Sequence, residues 1–172
     1  MVFDPEDVVA HTARVHVELA RGEPRSAVAA MRVQAPVSRI WALVEQVERF
    51  DGFVPMLHQV RRQGDVARIG LRFKIALFSV GFEFKARVTQ EPQRWLELSW
   101  LDGEPRDLRL RFDLRPLGEA ETLLHTTASF DVNSLGWLAK YFLKHHPEIK
   151  YGVFPGVAVA LADSVRKAVE GR

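Results

Sequence analysis

The stretch Ile69–Val88, IGLRFKIALFSVGFEFKARV, decides the fold. Ile69, Leu71, Phe73, Ile75 and Leu77 alternate with Gly70, Arg72, Lys74 and Ala76. After a turn placed at Phe78–Ser79, Val80, Phe82, Phe84, Ala86 and Val88 alternate with Gly81, Glu83, Lys85 and Arg87. Period-2 alternation marks a strand with one dry and one wet face. Two such runs joined by a short turn make an antiparallel hairpin.

The pattern continues towards the C-terminus. Leu96, Leu98 and Trp100 alternate after a break at Pro92–Gln93, and Asp102–Gly103 signals a turn. Leu108, Leu110, Phe112 and Leu114 come next, opposed by Arg109, Arg111, Asp113 and Arg115. Beyond Gly118–Glu121 stand Thr122, Leu124, Thr126, Ala128 and Phe130, with His125, Thr127 and Ser129 opposite and expected to face water. One greasy and one charged face means that only one side meets a core.

Helical spacing brackets this run. Pro36 suits a first turn, and Val37, Ile40, Trp41 and Val44 share a face. A second short helix is expected over Val47–Phe50. Asn133–Ser134 can cap a helix carrying Leu135, Leu138 and Phe142, and Pro147 opens or kinks the segment after it. In the last helix Val157, Leu161, Val165 and Ala168 form the buried side, and Pro155 starts or kinks it. Its small residues Gly152, Gly156, Ala158, Ala160 and Ala162 permit close approach to a sheet, or leave space for something else. Near the N-terminus, Val15, Val17 and Leu19, a Gly22–Pro24 turn, then Ala27, Ala29, Met31 and Val33 read as a hairpin. A helix over residues 5–19 is the alternative, weakened by Thr12 on its apolar face.

A chain of 172 residues suits one domain, here 13–172 after an N-terminal tail 1–12. Apolar residues make up 47%, enough for a sizeable core. Basic residues number 24 against 22 acidic ones, interleaved, which argues against nucleic acid as a partner. The absence of cysteine excludes disulfides, thiolate catalysis and cysteine metal sites. The acidic start MVFDPEDVV lacks the pattern of a signal peptide, so the cytoplasm is the expected location.

The element order resembles that of the START-like, or Bet v 1-like (SRPBCC), superfamily. Its helix-grip fold is α+β: a curved antiparallel sheet wrapped around a long C-terminal helix, with two short helices after the first family strand. Val33–Phe50, VQAPVSRIWALVEQVERF, matches the common opening of strand, Ala-Pro and a helix with a Trp. Phe50–Leu57, FDGFVPML, resembles coenzyme Q-binding and polyketide cyclase-like members, and Trp100–Gly103 sits where those members turn between central strands. The resemblance covers roughly residues 13–170. It implies binding or transfer of a hydrophobic small molecule: a lipid, a prenylated quinone or a polyketide-like aromatic. A polyketide cyclase/dehydrase-type enzyme (aromatase/cyclase chemistry) and a ligand-free chaperone-like regulator are the alternatives, since fold does not fix function. Family members often carry an Asp soon after the first helix. Glu45–Gln46 stands there, so no catalytic role is carried across.

The implied ligand-binding set is Phe73, Ile75, Phe82, Phe84, Leu98, Trp100, Leu110, Phe112, Leu124, Thr126, Phe130, Val157 and Leu161, with Leu71 and Ala128 on the same face. Thr126 and the Trp100 indole are its polar candidates. The same residues would serve equally as ordinary packed core. No cofactor is expected. No G-x-S-x-G occurs, and His145–His146 point too far apart on a helix to chelate a metal. His58, after Pro55-Met56-Leu57, is the weak candidate for an acid/base, and an enzyme would need it to converge with Tyr141 and Tyr151. Gly152-x-x-x-Gly156 reads as close helix packing. Leu135, Trp137, Leu138, Tyr141 and Phe142, beside Lys144 and His145, form a candidate lid with transient contact to a membrane surface. The charged face bearing Arg72, Lys74, Lys85, Arg87, Arg109 and Arg111 reads as solvated sheet, with docking on an acidic partner as the alternative.

Overall fold

The alternating segments pair into a single antiparallel sheet of eight strands, curved around the C-terminal helix in this computed structural model. The structure describes residues 3–10, 12–75, 78–146 and 148–171. It describes the side chains of these except at 73–75, 78, 137–139 and 142. The strands are β1 Arg14–Ala20, β2 Glu23–Val33, β3 Leu57–Gln63, β4 Val66–Ile75, β5 Phe78–Glu91, β6 Trp95–Gly103, β7 Arg109–Pro116 and β8 Thr122–Ser129. Their spatial order is β1-β2-β8-β7-β6-β5-β4-β3, so β1 and β3 are free edges. Helix α1, Val37–Val44, and a 3-10 helix, Val47–Gly52, lie between β2 and β3. Helices α2, Trp137–His145, and α3, Ile149–Glu170, come after β8. No helix among the described residues is long and apolar enough to cross a membrane.

Helix α3 lies chiefly on β2 and β8. Small side chains on both partners allow this: Ala27, Ala29 and Ala128 on the sheet, Ala158 and Ala162 on the helix, all 0% exposed. At that contact the Thr126 hydroxyl donates a 2.7 Å hydrogen bond to the Ala158 carbonyl. Gly171, at φ 73°, ends the helix in the left-handed conformation that favours glycine.

The register corrects several sequence expectations. Phe78 and Ser79 are not the turn: they belong to β5 and pair with Ile75 and Lys74. The connection itself, with Leu77, lies outside the described residues, as does Pro147. Asp102–Gly103 ends β6 rather than turning. Strand β3 goes unread in the sequence, because Gln59 at φ 52° and a register shift break its alternation. On α3, Val169 is buried and Ala168 is exposed, because a helical stripe steps from Val165 by four residues here, not three. Gly152 and Gly156 are not close-packing sites, since a Cβ at either would meet nothing within 4 Å. Gly156→Ala should therefore stabilise the protein by about 0.5–1 kcal/mol, read as a raised midpoint in urea.

His125 does not face water either. The N-terminal segment folds back over the outer face of β2 and β8. Phe3 and Val8 pack there with Ala30, Leu123 and Leu117, and Arg32 donates to the Pro5 carbonyl at 2.8 Å. The Phe3 ring lies parallel to His125, with centroids 6.4 Å apart, and His125 is 5% exposed. Burial pushes the imidazole below its ordinary value, and Arg115 adds to this against the opposing charge of Asp113. The folded protein therefore keeps the ring neutral where the unfolded chain would take a proton. Stability should fall as the pH drops below the ordinary histidine value of about 6.5, by at most about 1.4 kcal/mol per pH unit. His125→Leu should flatten that part of the curve, measured by urea unfolding between pH 7 and 5.

Candidate functional site

The inner face of the sheet divides into a covered half and an open half. Under α3, the β2 and β8 side chains are sealed. Towards β5 and β6, Phe82 and Trp100 are only half-buried, although Phe84 and Leu98 beside them are closed off at 1% and 0% exposure. The strand register explains why. Phe82 pairs with Leu71, and β5 first meets β6 at Phe84 opposite Gly103. Among the described residues, those beyond Phe82 on β5 and beyond Leu71 on β4 pair with each other, and only the Arg72 N–H also reaches the chain before β3. They form a two-stranded arm that projects past the sheet, and a ribbon of that kind is marginally stable by itself.

The same register places several half-buried apolar groups at one end of the sheet. Met56 precedes β3 there, and its carbonyl accepts from the Arg72 N–H at 2.8 Å. Trp100 closes the inner face of β6, and Ile149 and Val153 open α3. Tyr151 anchors that end of α3 to the β1–β2 turn, donating to the Gly22 carbonyl at 3.0 Å. Below, Phe130 and Phe154 pack at 4.9 Å, and Phe50 meets Phe112 edge-on at 5.6 Å. At the opposite end, Val33, Leu96, Val165 and Val169 close the core. The half-buried apolar groups thus gather at the arm end, with these packed aromatic rings beneath them.

The sequence-derived set falls into three groups on this frame. Leu98, Leu124, Thr126 and Leu161 are 0% exposed and pack entirely against protein. Phe84, Leu110, Phe112, Phe130 and Val157 retain a few per cent each. Phe82 and Trp100 are the most open. The side chains of Phe73, Ile75, Trp137, Leu138 and Phe142 lie outside the described residues. Leu135 is buried and Tyr141 is exposed, its ring tilted against that of His145 with centroids 4.3 Å apart. Phe53, Met56, Ile149 and Val153 join the apolar shell without having been picked from the sequence, because irregular chain and a helix start carry no periodic signal.

Few polar groups reach this shell. The Trp100 indole donates to the Gly103 carbonyl at 3.0 Å, and the Thr126 hydroxyl is engaged with Ala158. Among the described residues the buried polar side chains are Ser26, Thr122, His125, Thr126, Ser134 and Ser164. Of these only His125 ionises, and it lies on the outer face; the Glu170 side chain, 5% exposed, is held by Arg166 and the Gln34 N–H at the end of α3. His58 is not among these groups: it pairs with Gly70, and its ring covers the place a Gly70 Cβ would take, at 2.7 Å. Leu57 and Leu71 point inward next to that pair, so His58 is outside. Tyr141 and Tyr151 are 56% and 50% exposed, and the three groups do not converge. No cluster of metal-ligating side chains occurs among the described residues.

Known proteins of this shape agree with the architecture. The fold is similar to that of the Zhui aromatase/cyclase from a Streptomyces species (TM-score 0.67, 18% identity, covering 85% of this chain and 93% of that one). A Thermus thermophilus protein aligns with TM-score 0.65 at 14% identity, over 84% of this chain and 96% of its own. A START superfamily protein from Mycobacterium smegmatis aligns with TM-score 0.60 at 17% identity, over 86% and 98%. At these identities the likeness is one of fold. No curated protein matches the chain. The sequence itself matches the polyketide cyclase / dehydrase and lipid transport family over residues 33–147, about two thirds of its length, and the chain belongs to that family.

Proposed function

We propose that the protein binds and carries a hydrophobic small molecule, taken up between the β4–β5 arm, Trp100 and the first turns of α3. The observation that carries this reading is the half-buried apolar set at one end of an otherwise sealed core. Burying a large apolar side chain contributes about 1.5–3 kcal/mol, and a ligand can supply that burial where protein does not. Carriage is favoured over catalysis because no ionisable side chain belongs to the half-buried apolar set among the described residues; the buried carboxylate of Glu170 lies at the far end of α3, paired with Arg166. Cyclisation needs groups that move protons at defined atoms. A prenylated quinone, a fatty acyl chain and a fused-ring aromatic are the ligand classes of matching chemistry. Titration with one of each, read by indole fluorescence in a protein whose other three tryptophans are replaced by phenylalanine, tests the reading. Saturable quenching of Trp100 supports it, and an unchanged signal with all three refutes it.

The segment Leu135–His145 is proposed as the lid. Leu135 and Leu143 anchor it in the core, while Tyr141 projects beside Lys140 and Lys144. Aromatic and basic side chains together suit a membrane interface. Wild-type protein should float with anionic liposomes in a density gradient, and Trp137→Ser/Tyr141→Ser should stay at the bottom.

A further inference from the structure

The outer face carries a concavity at the β3 edge, at the other end of the sheet from the half-buried apolar set. It has a volume of about 710 Å³ and is lined by Arg61, Arg62, Gln63, Val66, Arg68 and Lys85. Four of these are cations, and none is acidic. Arg61 pairs with Arg68 across β3 and β4, and Arg68 pairs with Lys85 across β4 and β5. Three positive side chains thus stand in one cross-strand row. Like charges directly opposite on a sheet are destabilising.

Protection of a free edge explains Arg61, which sits on β3. It does not explain Arg68 and Lys85, which sit on interior strands. Arg68 is ion-paired with Glu83 at 3.1 Å and Lys85 with Asp102 at 3.8 Å, through side chains 45–73% exposed, so an incoming anion competes with these two carboxylates. Arg61 has no ion pair among the described residues. Arg62 is held in place by the carbonyls of Gly64 and Glu45, at 2.9 and 3.2 Å, and so brings a preset charge to the rim.

From this arrangement we infer that the cleft is an anion site for a ligand bearing two linked phosphoryl groups. Adjacent strands are about 4.8 Å apart, so the row spans about 10 Å, longer than one phosphate and matched to a diphosphate. Guanidinium groups bind phosphoryl oxygens in pairs, and like charges gathered in one concavity focus their field on an anion. The diphosphate can belong to a soluble molecule, or two phosphates can be presented side by side by lipid headgroups.

Calorimetry with inorganic pyrophosphate and with inorganic phosphate, and co-sedimentation with phosphatidylglycerol vesicles, separate the two sources. The proteins compared are wild type, Arg61→Gln/Arg68→Gln, and Arg14→Gln/Arg25→Gln, which removes the same charge near the other edge. Thermal melts establish that all three are folded. For a soluble source, pyrophosphate binds saturably and at least tenfold more tightly than phosphate, and only the Arg61/Arg68 variant loses at least tenfold. For a headgroup source, vesicle binding alone is seen and falls in that variant only. No binding in either arm, or equal loss in both variants, overturns the assignment.

Discussion

Replacing Phe82 with aspartate is expected to leave the chain folded while weakening the binding of an apolar probe about a hundredfold or more. Phe82 stands where the two-stranded arm leaves the sheet, half-buried opposite Leu71. Losing its ring removes about 1.5–3 kcal/mol of apolar contact with a ligand. Dehydrating the new carboxylate on ligand entry costs several kcal/mol more. Each 1.4 kcal/mol is tenfold in affinity, so even the contact loss alone approaches the stated effect. In the free protein the carboxylate can turn to water from its half-exposed position, which is why folding survives. Probe fluorescence and a thermal melt on the same sample measure both halves. A Phe82→Asp variant that binds as wild type does would place the proposed binding site elsewhere.

Leu161→Ala is expected to act oppositely, on stability first. Leu161 is 0% exposed on the face of α3 that meets the sheet, one turn from the alanine contact. Truncating such a residue costs about 2–5 kcal/mol, the transfer of the lost carbons plus the void they leave. For a chain of this size each kcal/mol moves the melting temperature by roughly 2–4 °C, so a fall of roughly 5–15 °C is expected by calorimetry. A change under a degree or two would mean that Leu161 borders free space and that the helix is not seated as described.

These two residues also mark how far the sequence could be read. Alternation in β4 to β7 identifies the inward face of the described side chains, because each of these strands has one wet side and side chains reverse at every step. It cannot tell Leu98, sealed at 0%, from Trp100, left half open. That difference arises from where strands end and which elements cover them. The arm beyond Phe82 results from unequal strand lengths, and the alanine-lined contact from α3 choosing β2 and β8. Neither leaves a local pattern. His125 makes the same point on the outer face, where period-2 reading puts it in water and the returning N-terminal segment covers it with Phe3. Phe53 and Met56 were hidden for another reason: they stand in irregular chain, where no period exists to be broken.

Native mass spectrometry of the purified protein, then organic extraction and reconstitution with a fatty acid or a prenylated quinone, measures the central claim most directly. An apolar molecule bound one to one, in wild type and not in Phe82→Asp, is the predicted result. A folded protein that stays at its own mass through purification and reconstitution alike would contradict the account.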